Sequence, residues 1–270
     1  MAASGLIVFS HANGFPAGTY RVLFEDWRAA GFRVEAIEKF GHDSAYPITG
    51  NWPQLRDQLI HFIERCGAPA WLVGHSLGGY LSLLAACRAP DLARGVVLLD
   101  SPIVAGWRAH SIQVAKATGL MQRVSPGRIS LRRRQQWPSR EAAHAHFAAK
   151  TVFARWDPRV LDDYIAAGIE ADGEQVVLAF RREVETRLYN TLPHHLPSVL
   201  KRHPPRAPIA FVGGTRSAEV RQAGLATTRA VARERLSWIE GSHLFPMERP
   251  AESAAEVARL IGSFAQGASI

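Results

Sequence analysis

The chain has 270 residues, 47% hydrophobic and 21% charged, a balance that supports a sizeable core and excludes disordered and fibrous architectures. Only two cysteines occur, Cys66 and Cys87, both in helix-like apolar stretches, so a disulfide framework, a zinc cluster and an iron–sulfur site are excluded. The formal net charge is +8, and the whole surplus lies between Ile103 and Arg206, where 17 Lys and Arg meet 9 Asp and Glu; the flanking regions balance.

No apolar run approaches a membrane span, and Met1–Phe9 lacks the basic start and long apolar stretch of a secretory signal. The expectation is a soluble cytoplasmic protein, with a neutral body and a basic insertion. Length suits one large domain or two small ones.

In chain order, Leu6–Phe9 is a short apolar strand that runs into the turn His11-Ala12-Asn13-Gly14. A helix around Tyr20–Ala30 stops at Gly31, and Arg33–Ile37 is the next strand. A helix over Trp52–Arg65 ends at Gly67, followed by a strand at Ala70–Val73 and a helix over Leu77–Arg88 that stops before Pro90. Gly95–Leu99 is a fourth, very apolar strand. From Ile103 to Arg206 helical patterns dominate, as in Arg140–Phe153 and Val160–Gly168, with joints at Pro126, Pro138, Pro158, Pro193 and Pro197. A short hairpin or strand is expected at Gln175–Arg181, and Pro204–Pro208 reads as a stiff connector. Strands at Ile209–Val212 and Leu236–Ile239 flank a helix near Glu219–Arg233, and a last helix starts near Ala251. Strands apolar throughout and alternating with helices imply a parallel sheet covered on both faces.

The sharpest local signal is Gly74-His75-Ser76-Leu77-Gly78-Gly79, between a predicted strand and a predicted helix. A serine at the tip of so tight a turn needs strained backbone angles and small residues two before and two after it. The turn exposes the Ser76 hydroxyl and lets the Leu77 N–H donate to a developing oxyanion at the helix N-terminus. Serine needs a base, and His243 fits best, in Gly241-Ser242-His243-Leu244-Phe245-Pro246 between the last strand and the last helix. In a parallel sheet all C-terminal strand ends share one side, so that loop opens near Ser76. His75 and His11 read as supports of their turns, and His194 and His195 as surface or lid residues.

On these residues the chain resembles the α/β-hydrolase superfamily over nearly its whole length. The features are the Ser10–Pro16 turn after the first strand, the Gly74–Gly79 elbow and the Gly241-Ser242-His243 loop. The resemblance implies an α/β-hydrolase fold with a mostly parallel sheet, a core of residues 1–102 and 207–270, and a mostly helical cap over residues 103–206. It also implies a second oxyanion N–H in the first turn, assigned to Asn13 with Ala12 as competitor. The acid departs from the family's commonest pattern. Its usual Gly-X-X-Asp turn here reads Gly214-Thr215-Arg216-Ser217, with a serine in the aspartate's place. A neutral hydroxyl cannot stabilise an imidazolium as a carboxylate does. Asp100 closes the apolar strand before the insertion, as the acid does in a group of small bacterial esterases with a similar Gly-Gly-X-X-Ser turn, and is preferred. Glu219, two residues beyond Ser217, is the alternative.

The expected function is a serine hydrolase that cleaves a carboxylic ester or thioester of a small-molecule acyl substrate, with a Ser76-His243-Asp100 triad and an acyl-enzyme. A carbon–carbon bond hydrolase on the same triad is the runner-up, and a non-catalytic binder that uses the basic cap is a further alternative. No metal, nucleotide or flavin cofactor is implied, no nucleic acid partner and no membrane span. Oligomeric state is not readable. Arg132, Arg133 and Arg134 read as a solvated helix face or as a bias toward anionic substrates. Trp107, Trp137, Trp156, Phe147, Phe153 and Tyr164 read as either an acyl pocket or the cap's own packing.

Overall fold

The computed structural model describes residues 5–106, 110, 111, 113, 116 and 127–267. Trp107 and Pro126 lie outside them. The strands are β1 (Gly5–Ser10), β2 (Phe32–Ala36), β3 (Ala70–His75), β4 (Ala93–Leu99), β5 (Gln136–Trp137), β6 (Ile169–Asp172), β7 (Gln175–Leu178), β8 (Ile209–Gly214) and β9 (Leu236–Ile239). Six form one sheet in the order β2-β1-β3-β4-β8-β9, and every pairing in it is parallel.

Successive side chains of a strand point to opposite faces, and an apolar strand therefore feeds two cores. Ile7, Phe9, Val73, Val97 and Val212 enter one; Leu6, Val8, Leu72, Leu98 and Phe211 enter the other. The first face is covered by α1 (Arg21–Ala29) through Leu23 and Trp27 and by the C-terminal helix Pro250–Gly267 through Val257, Leu260 and Ile261. The second face is covered by α2 (Pro53–Arg65) through Leu55 and Leu59 and by α3 (Leu77–Arg88) through Leu81 and Leu84. Each such side chain, fully buried, contributes about 1.5–3 kcal/mol.

Between β4 and β8 lie α4 (Gly127–Leu131), α5 (Arg140–Ala148), α6 (Pro158–Gly168), α7 (Arg182–Asn190) and α8 (Leu196–Arg202). With them is a small antiparallel sheet in the order β5-β7-β6. Of the short hairpin or strand expected at Gln175–Arg181, the strand is present as β7, and the arm it pairs with, β6, precedes that range. Trp137, Phe147, Trp156 and Tyr164 are buried here, and Phe147, Phe153, Trp156 and Tyr164 stack with centroids 4.5–5.8 Å apart. These aromatics pack against one another, and among the described residues none of them lines the cleft that contains Ser76. Helical spacing alone leaves that choice open, because it orients a ring without saying what faces it.

The single helix expected over Glu219–Arg233 is two, α9 (Ala218–Ala223) and α10 (Ala226–Ala232). Gly224, at φ 76°, takes the left-handed conformation that stops the first. The last two helices are α11 (Phe245–Glu248) and α12 (Pro250–Gly267). Among the described residues no helix is long and apolar enough to cross a membrane.

Candidate active site

Ser76 sits between β3 and α3 with φ 53° and ψ −114°, the strained corner that the Gly-X-Ser-X-Gly string requires. The glycines around it are steric necessities. A Cβ on Gly74 would run into the backbone of Gly78 and Gly79, and one on Gly78 into the carbonyl of Ser10. One on Gly79 would strike Ser101, whose hydroxyl donates to the Ser76 carbonyl at 2.9 Å. The Ser76 N–H in turn donates to the Leu99 carbonyl at 2.9 Å, which ties the corner to the end of β4.

Asp100 follows β4 at φ 45°, its side chain 1% exposed as a residue and fully paired. Its Oδ1 accepts the Gly214 N–H at 2.8 Å. Its Oδ2 accepts the Ser217 hydroxyl at 2.6 Å and the Nδ1–H of His243 at 2.6 Å. A buried carboxylate is tolerated only when so compensated. Glu219 is half-exposed, its Oε2 3.9 Å from His243 Nδ1, within ion-pair reach but beyond hydrogen-bonding distance. Burial of the His243 ring disfavours its charged form, but the hydrogen bond and charge of Asp100, helped by Glu219, outweigh it and raise the pKa above its ordinary 6.5.

Behind His243 stands a neutral histidine. Burial foremost, and then the charge of His243, hold His75 well below its ordinary value. Its Nε2–H donates to the His243 carbonyl at 2.9 Å, and its Nδ1 accepts from the Tyr20 hydroxyl at 2.8 Å. Tyr20 accepts the Ala12 N–H at 3.2 Å. This chain occupies the Ala12 donor, whereas no hydrogen bond from the Asn13, Gly14 or Leu77 N–H occurs among the described residues. His11 braces the same turn: it donates through Nδ1 to the Ala12 carbonyl and accepts the Phe40 N–H at Nε2, each at 2.8 Å.

Ser76, Asn13, His243 and Glu219 line one cleft of about 400 Å³, with Phe15, Val152, Leu244 and Tyr189 as apolar and aromatic walls. Asp100 lies beneath His243 and Leu77 directly after Ser76. The Asn13 side chain donates to the Glu185 carbonyl at 3.0 Å, a contact between the first turn and α7. The Glu185 carboxylate accepts from the Ser130 hydroxyl at 2.8 Å and from Arg133 at 2.6 Å, and Arg133 also reaches the Tyr164 hydroxyl. Arg133 is therefore an internal tie, and neither it nor Arg132 nor Arg134 lines the cleft. Sequence reasoning missed Tyr20, Glu185 and Ser217's bond to Asp100, whose roles depend on contacts between distant segments and leave no local signal.

Asp100, Glu219 and His243 offer ligand-type atoms within 4.8 Å of one another, the described group with metal-binding reach. The Asp100 oxygens and His243 Nδ1 are already spent on each other and on Gly214 and Ser217, so a cation would have to break that pair.

A parallel sheet with a serine on a strained strand-to-helix corner, and a histidine–carboxylate pair on neighbouring loops, defines a fold and site of the α/β-hydrolase kind. Residues 7–257 match the model of the Alpha/beta hydrolase family, and the chain belongs to that family. It is 34% identical over 104 residues to the abhydrolase domain-containing protein AFT2-1 of Alternaria alternata, covering 38% of this chain and 35% of that protein. It is 32% identical over 107 residues to the monoglyceride lipase homolog of Monkeypox virus, covering 37% and 38%. The alignments thus span little more than a third of these relatives. Among solved structures, an E-2-(acetamidomethylene)succinate hydrolase aligns at TM-score 0.73 and 20% identity over 97% of this chain and 92% of its own. The thioesterase domain from the curacin biosynthetic pathway aligns at 0.72 and 18% over 95% and 90%. At these identities the structures speak for the fold alone.

Proposed function

We propose that the protein is a serine hydrolase that cleaves a carboxylic ester or thioester of a small-molecule substrate through Ser76, His243 and Asp100, with residues 103–206 as a cap over the site. The observation that carries this reading is the 2.6 Å contact from His243 Nδ1 to the buried Asp100, beside a serine on a strained corner and two free N–H groups. His243 Nε2 takes the Ser76 proton as the hydroxyl oxygen attacks the acyl carbon, and Asp100 holds the Nδ1–H tautomer and stabilises the imidazolium. The N–H groups of Leu77 and Asn13 receive the oxyanion. His243 returns the proton to the departing alcohol or thiol, and water activated by the same ring then hydrolyses the acyl-enzyme. Relatives named as a monoglyceride lipase homolog in Monkeypox virus and a monoglyceride lipase in Rattus norvegicus accord with ester cleavage.

The test is labelling with a serine-directed fluorophosphonate. Wild-type protein becomes modified at Ser76, and Ser76→Ala loses both the label and roughly 10³-fold or more of ester turnover. An unmodified Ser76, or a Ser76→Ala variant with full esterase activity, overturns the reading.

A further inference from the structure

Five charged side chains line the cleft: Arg155, Arg216, Glu185, Glu219 and Glu248. Most are engaged elsewhere. Glu185 is held by Ser130 and Arg133. Glu248 accepts from the Ser242 N–H at 3.0 Å and the Ser242 hydroxyl at 2.5 Å. Arg216 is bound to Glu240 at 2.7 Å and stands 3.9 Å from Glu248. Glu219 faces His243. Arg155 alone of these has no hydrogen-bond, ion-pair or ring partner among the described residues.

The backbone that carries Arg155 is nevertheless clamped on both sides of the site. It ends the short 3-10 turn Phe153–Arg155, closed by the Trp156 N–H on the Phe153 carbonyl at 3.0 Å. Trp156 is buried, with its ring 5.6 Å from that of Phe15 in the first turn. The next residue, Asp157, donates its N–H to the Met247 carbonyl at 2.9 Å, in the helix that follows His243. The backbone beneath Arg155 is thus fixed, and its exposed side chain borders a partly apolar cleft with no described partner for its charge. The planar fork of the guanidinium suits the two oxygens of a carboxylate or a phosphate. A neutral substrate would leave it idle and a cationic one would be repelled.

We infer that the substrate carries an anionic group, and that Arg155 binds it as the specificity-determining residue of the site; this rests on the serine-hydrolase reading above. The anion lies toward Arg155 and away from Glu219, whose charge beside His243 penalises a second negative group there.

The test compares two p-nitrophenyl esters of equal chain length, the glutarate monoester and the neutral valerate. Wild-type enzyme prefers the anionic ester in kcat/KM. Arg155→Gln, a surface change in the turn, lowers turnover of that ester about 10- to 100-fold and leaves the neutral one within about twofold; Arg155→Glu reverses the preference. Competition by free glutarate against inorganic phosphate then tells a carboxylate-bearing from a phosphate-bearing substrate. Fluorophosphonate labelling of Ser76 in each variant separates the two readings. A labelled enzyme with no anionic preference, or one whose preference survives Arg155→Gln, overturns this inference alone. Absence of label from wild-type Ser76 overturns the serine-hydrolase reading and this one with it.

Discussion

Ser217 donates its hydroxyl to Asp100 Oδ2 at 2.6 Å, from the turn in which a Gly-X-X-Asp pattern would put an acid. The same hydroxyl accepts the Val220 N–H at 3.1 Å and so caps α9. The serine at this position therefore supports a carboxylate supplied from the neighbouring strand, and under the proposed triad the acid stands at the end of β4 instead of β8, still within reach of His243. Both strands are adjacent and parallel, so their ends are equivalent starting points for the same contact.

Asp100→Asn is expected to lower kcat by about 10³- to 10⁴-fold, because the amide favours the wrong imidazole tautomer and cannot offset its charge. Glu219→Gln, at a half-exposed position 3.9 Å away, is expected to stay within about fivefold of wild type. Steady-state kinetics on one activated ester ranks the two. The opposite ranking would assign the acid to Glu219.

The pH dependence follows from the same pair. Burial opposes protonation of His243, yet Asp100 and Glu219 raise its pKa above 6.5. The ring must be neutral to take the Ser76 proton, so activity is present above the raised pKa and is lost as the pH falls through it. The acid limb of kcat/KM is expected to have its midpoint above pH 6.5. Asp100→Asn removes the larger source of the upward shift and moves the midpoint down; Glu219→Gln moves it down by less. A wild-type midpoint at or below 6.5, or an upward move in Asp100→Asn, would contradict this electrostatic account.

Much of the sheet and the corner at Ser76 is legible in the residues themselves, because each is imposed locally. A run such as Leu6–Phe9 is apolar at every position only if both faces are covered, and Gly74, Gly78 and Gly79 admit no Cβ. His243 is legible by its place after the last strand. The rest depends on tertiary partners. Arg133 belongs to a run of three arginines that looks solvated, yet it binds Glu185, 52 residues further along. Arg155 stands out only by lining the cleft without a described partner, a property that no sequence pattern encodes. Trp137 and Phe147 could face either cleft or core until the packing between β4 and β8 is seen.

Tyr20 links the two halves of the site, and its hydroxyl can be removed with little change of shape. Tyr20→Phe leaves the Ala12 N–H and His75 Nδ1 buried without a partner, since the hydroxyl serves both. The expected cost in unfolding free energy is about 1–3 kcal/mol. The turn that presents the Asn13 N–H loses its tether, as does the neutral His75 that holds the His243 carbonyl at 2.9 Å. Transition-state contacts should suffer more than ground-state binding, so kcat is expected to fall about tenfold with KM changed by less than about twofold. Denaturant melts and kinetics well below the melting temperature separate the two effects. A variant that is less stable but turns over at the wild-type rate would reduce Tyr20 to a packing residue. A lower kcat at full folding makes it a positioning residue that acts through Ala12 and His75.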